Sequence, residues 1–106
     1  MTKIDAHRKA LITRVVDGEG RSNSQQRRAA FAGDFAPTGA AGLTEKVAKH
    51  AYKVADEDIA AAKAAGLTED QIFELVVCTA IGEANRQLET ALAALDEATK
   101  GVGDAA

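Results

Sequence analysis

Three carboxylates in a row, Asp56, Glu57 and Asp58, could share a proton for acid/base work or hold a cation between them. The same three residues also suit the first turn of a helix, where free N–H groups and the helix dipole favour negative charge. His50 lies at helical spacing from Val47, Ala51 and Val54, so it shares their face, either as a general base or as a hydrogen-bonded core or interface histidine. Tyr52 stands between Lys49, Lys53 and the acidic run, where its hydroxyl could orient a ligand or its ring could anchor a helix end. Glu83 aligns with Ile72, Val76 and Thr79, which carries a carboxylate toward an apolar surface and would raise its pKa. The alternative for Glu83 is an ion pair with an arginine, since that face turns polar at Arg86, Gln87 and Thr90.

The remaining reactive types are sparse. Cys78 is the single cysteine, so no disulfide can close within the chain, and its place in "ELVVCTAIG" predicts a buried, inert thiol. His7 falls on the Ile4 and Leu11 stripe. Two histidines far apart and one cysteine match no metal-binding spacing, and no cofactor is expected. "DGEG" lacks the lysine and the strand that a phosphate-binding loop requires.

These groups must be positioned by helices. Ala, Leu, Ile and Val dominate the apolar positions of the 106 residues, aromatics make up 4%, and the one proline is Pro37. Ile4, Leu11 and Val15, with Ile12 and Val16 beside them, predict an amphipathic first helix over residues 3–16. Ser22 and Gln25 have capping-box spacing and predict a second helix ending near Ala32. Gly33 to Gly42 reads as a linker or ordered loop. A third helix is expected from about Thr44 to Val54, and a fourth from the acidic run to Gly66, where glycine can take the left-handed conformation. Thr68 and Gln71 form a capping box, with Leu67 and Ile72 as its staple, so a long helix should run from Glu69 to about Thr99. The predicted organisation is an N-terminal helical arm and loop over 1–42, a helical core over 43–100 and a flexible tail over 101–106.

The first part of that long helix, "QIFELVVCTAIG", is apolar or small almost all round, which demands cover on every side and points to a second subunit. Gly82 would permit a close helix crossing. The formal charge of −3 is unevenly spread: residues 1–35 carry seven Lys/Arg against four Asp/Glu, and residues 36–106 carry six against twelve. The basic charges are interleaved with apolar residues and have no aromatic platform, so no nucleic-acid partner is expected. No stretch approaches the about 18 apolar residues of a membrane span, and the first 16 residues lack the apolar block of a secretory signal. The expected location is the cytoplasm.

The succession of "KHAYKV", the acidic "DED", an Ala-rich helix closing on "AAGLTEDQIFELVV", and then "AIGEANRQLETALAAL" resembles the carboxymuconolactone decarboxylase and alkylhydroperoxidase D-like family. The resemblance covers Lys46 to Leu95 and implies a small all-α domain of about five helices that assembles into obligate oligomers, commonly trimers or hexamers. Redox members of that family carry C-x-x-C-x-x-x-H ahead of this junction. Counting back from Gly66 puts those positions at Ala51, Val54 and Asp58, so both cysteines and the histidine are missing, and thiol peroxidase chemistry has no thiolate to start from. The resemblance therefore implies a redox-inactive member with a small-molecule or partner-binding role. Two other readings stand beside it. One is a cysteine-independent lyase or isomerase acting on a small carboxylic acid or lactone, with Asp58, His50, Glu83 and Tyr52 lining the site; the other is a structural interaction module.

Overall fold

The computed structural model describes residues 2–35, 38 and 40–105. Ala36, Pro37 and Gly39 of the Gly/Pro-containing loop lie outside the described residues, as do Met1 and Ala106. The described residues form five α-helices and no strand: α1 Thr2–Asp17, α2 Ser24–Ala32, α3 Ala41–His50, α4 Asp56–Ala64 and α5 Glu69–Ala105, with one 3₁₀ turn at Ala51–Lys53. Among them, no helix is long and apolar enough to cross a membrane.

The helix boundaries follow from local chemistry. Asn23, not Ser22, caps α2, its side-chain oxygen accepting the Gln26 N–H at 2.7 Å. Gly33 ends α2 at φ 84°, and the N–H groups of Gly33 and Asp34 reach back to the carbonyls of Ala30 and Ala29. Gly66 ends α4 in the same way at φ 99°, with Gly66 and Leu67 bonding to Lys63 and Ala62. The capping box at the start of α5 is complete: Thr68 N–H donates to Gln71 Oε1 at 2.9 Å, and Gln71 N–H to Thr68 Oγ1 at 3.2 Å. α3 starts at Ala41, three residues before the expected Thr44, because the Thr44 hydroxyl turns inward to the Ala40 carbonyl at 2.9 Å and is fully buried.

α5 is the spine. Its 37 residues at about 1.5 Å each account for most of the 60 Å long axis of the molecule. Ile72, Leu75, Cys78 and Thr79 are its buried face, and burying Leu75 alone contributes about 2 kcal/mol. Two clusters pack on this face. Val16 of α1 and Ala30 of α2 join Leu75 and Cys78, while Ala40, Leu43 of α3 and Ala62 of α4 join Ile72, with Leu67 touching both. Val16, Ala30 and Ala40 thus place parts of the first 42 residues in the core.

α1 is rotated from the expected face. Val16 is buried and Ile12 and Val15 half-buried, whereas Ile4 is 61% and Leu11 53% exposed. α1 runs antiparallel to α5: the Cys78 thiol faces the Val15 carbonyl at 3.6 Å, and Arg8 Nη1 donates to Asn85 Oδ1 at 2.6 Å. Gly82 sits where α2 crosses α5, because a Cβ there would overlap the backbone of Phe31.

Candidate functional site

The residues expected to do chemistry are dispersed. Asp58 accepts the Ala55 N–H at 2.9 Å and Lys46 Nζ at 2.9 and 3.0 Å, so it supplies the carboxylate half of a capping box that alanine at 55 cannot complete from its own side chain. Lys46 first, then the Ala55 N–H, hold its carboxyl below the usual carboxylate range. A proton shuttle near neutral pH needs the opposite shift. Replacing Asp58 by Asn is expected to lower thermal stability by removing the Lys46 ion pair, with circular dichroism still reporting a helical protein.

His50 ends α3 and is exposed, not turned to the face of Val47 and Val54, because the chain leaves the α-helix at Ala51. Tyr52 is 81% exposed rather than anchoring a helix end; its ring meets His50 edge-on at 6.0 Å. Glu83 pairs with Arg86 at 2.9 Å, and that guanidinium holds its carboxyl below the ordinary value instead of raising it. Asp58 lines a small hollow with Ala40, Gly42, Leu43 and Ala62, while Glu83 lies on a separate open surface with Gln87, Thr90 and Ala94. Asp56 and Glu57 occupy the first turn of α4, exposed. His7 is exposed on α1. Cys78 is fully buried, and desolvation pushes its thiol up to about 11 despite the nearby Arg27 charge. Among the described residues no cluster of His, Cys, Asp or Glu could hold a metal ion.

A more concentrated arrangement lies elsewhere, where the 17–24 loop meets the first turns of α5. Glu74 points from α5 into that loop and accepts four hydrogen bonds: from Arg21 N–H at 2.9 and 2.7 Å, Ser22 N–H at 2.8 Å and Ser22 Oγ at 2.7 Å. Burial works to raise the Glu74 pKa, but the donors from Arg21 and Ser22 and the charge of Arg27 outweigh it and leave it lowered. Gly20 lets the loop approach this closely, since a Cβ there would sit 2.7 Å from Glu74 Oε1. Gln71 adds a further tie, its Nε2 donating to the Arg21 carbonyl at 3.1 Å.

Beside this clamp a cleft of about 930 Å³ is lined by the loop, Arg27, Asp70, Phe73 and Glu74. It adjoins a more apolar groove of about 380 Å³ between α1 and α5, lined by Leu11, Arg14, Val15, Glu19, Arg27, Phe73, Glu74 and Val77. Arg27 lines both and is 5% exposed. The sequence carried one signal for this site: Glu74 is the only charged residue between Asp70 and Glu83, and a lone carboxylate in an apolar run needs partners. Comparison with protein-family models, with curated proteins and with solved structures found no match for this chain.

Proposed function

We propose that this chain is an oligomeric helical protein of the carboxymuconolactone decarboxylase-like kind, working without thiol peroxidase chemistry as a small-molecule or partner-binding protein. The observation that carries this reading is the second half of α5. From Gln87 to Lys100 every residue except the half-buried Leu92 is exposed, yet this stretch keeps an apolar stripe in which Leu88 is 41% and Leu95 60% exposed. A helix stripe of this kind is stabilised when another helix covers it. A second copy is the partner whose charge fits, because the net charge is positive over the first 35 residues and negative over the remainder. A closed trimer, or a hexamer built from two, is the arrangement the family resemblance implies. The positions that would carry the redox pair, Ala51 and Val54, have no thiol, and the buried Cys78 with its raised pKa is no substitute.

Native mass spectrometry and light scattering at micromolar concentration test the assembly. The wild-type chain is expected to give one defined oligomer. A Leu88→Glu, Leu95→Glu double variant should give a helical monomer, since the half of each leucine still exposed in the single chain is worth about 1 kcal/mol on burial, about thirtyfold in association for the pair, and each new carboxylate adds a desolvation cost to the contact. A wild-type chain that is monomeric throughout that range would overturn the reading.

A further inference from the structure

Arg27 is a buried guanidinium whose Nε has no acceptor among the described residues. It has five N–H donors to place. Nη1 donates to the Val15 carbonyl at 3.2 Å, and the buried Nε meets no acceptor. Among the described residues no carboxylate lies within ion-pair distance of it. Glu74 acts on Arg27 through charge, but its hydrogen bonds are to Arg21 and Ser22 and none is to the guanidinium. A buried arginine left this way is costly unless something with acceptor oxygens completes it.

The surroundings restrict what that is. Leu11, Val15, Phe73 and Val77 make an apolar wall beside Arg27, and Phe73 is 68% exposed at its mouth. The groove's volume falls within the range of small-ligand pockets. Leu11 also lines a separate hollow between α1 and α5, with Arg8, Ile81, Asn85 and Leu88. Arg14 at the rim is exposed and makes no ion pair among the described residues. Glu19 and Glu74 stand in the same lining as Arg14 and Arg27, so the groove is charge-balanced when empty and disfavours a phosphate dianion more than a group with a single negative charge.

We propose that this groove binds an unbranched alkyl carboxylate, its head on Arg27 and Arg14 and its chain along Leu11, Val15, Phe73 and Val77. The proposal deepens the small-molecule side of the reading above and does not depend on the subunit number. It gives the α1–α5 groove a ligand class that the dispersed Asp58, His50 and Glu83 do not suggest.

The test is a ¹H–¹⁵N NMR titration of the full chain, in whatever oligomer it forms, with sodium octanoate and in parallel with 1-octanol. Octanoate is expected to shift the Arg27 Nε–H signal and the amides of Val15, Phe73 and Val77 saturably, and octanol to bind about tenfold more weakly or worse. Arg27→Met, which keeps the side-chain bulk, should abolish the preference for octanoate with the spectrum otherwise intact. Arg14→Gln, on the surface, should reduce that preference and serves as the deciding variant if Arg27→Met does not fold. Non-saturating shifts, octanol binding as tightly as octanoate, or a preference that survives Arg27→Met, or Arg14→Gln where that variant decides, would each overturn the proposal. An oligomer indifferent to octanoate removes this proposal alone, whereas a monomer that binds octanoate removes the oligomer alone.

Discussion

Gly82→Ala is expected to lower the stability of the protein by about 3 kcal/mol, a large share of the 5–15 kcal/mol typical of a domain. In an isolated helix the same change would help by about 1 kcal/mol. Here the new Cβ would overlap the carbonyl group and Cα of Phe31, which is main chain and cannot turn aside as a side chain would. That carbonyl also accepts Arg86 Nη1, so pushing α2 away from α5 breaks a second contact at the crossing. Gly42→Ala provides the comparison within one chain. Gly42 lies in α3 with nothing within 4 Å of its Cβ position, so alanine there should be neutral or slightly stabilising. Thermal melts of the two variants should move in opposite directions or differ by about 10 °C or more; equal midpoints would show that the α2–α5 crossing is not as close as described.

Glu74→Ala is the second large effect. It leaves the Arg21 and Ser22 N–H groups and the buried Ser22 hydroxyl without their acceptor, at a cost of about 2–3 kcal/mol. In a chain of this length that is about 10 °C in melting temperature. The pH dependence gives an independent readout. Because the folded-state pKa of Glu74 is lowered, the unfolded chain binds more protons as pH falls through the ordinary glutamate range. The carboxylate's contribution is therefore fully present above that range and is lost as pH falls toward the lowered value. Wild type should lose stability more steeply on acidification than Glu74→Ala, and denaturation midpoints from neutral pH downward should converge. Parallel curves would mean that Glu74 does not hold the 17–24 loop through its charge.

The boundaries legible in the sequence are those whose partners lie within a few residues. Thr68 and Gln71 cap each other, Gly66 takes the left-handed turn, and the acidic run starts α4, all through contacts three to five residues apart. The all-α class follows from the same local signals, because helical hydrogen bonds are themselves local. The choice between Ser22 and Asn23 as the cap of α2 was not local. Ser22 had the spacing, but Glu74, 52 residues away, takes its hydroxyl and its N–H into the core and leaves the cap to Asn23.

Rotation of a helix about its own axis is likewise a tertiary matter. α1 offers two apolar stripes, one through Ile4 and Leu11 and one through Ile12 and Val16, and periodicity ranks them almost equally. Packing against Ala30, Leu75 and Cys78 chose the second, and Arg8 bonding to Asn85 secured the rotation. His50 and Tyr52 depended on where α3 stops, since the backbone leaves helical angles at His50, at φ −149°, and Tyr52 falls in the 3₁₀ turn beyond it. The candidate site has the same origin. Arg27, Glu74, Val15 and Leu11 come from three helices, and no spacing in the chain relates them. Local hydrogen bonds and helix propensity determined the elements of this protein; only long-range packing decided which faces are buried and where a charged group is left in an apolar groove.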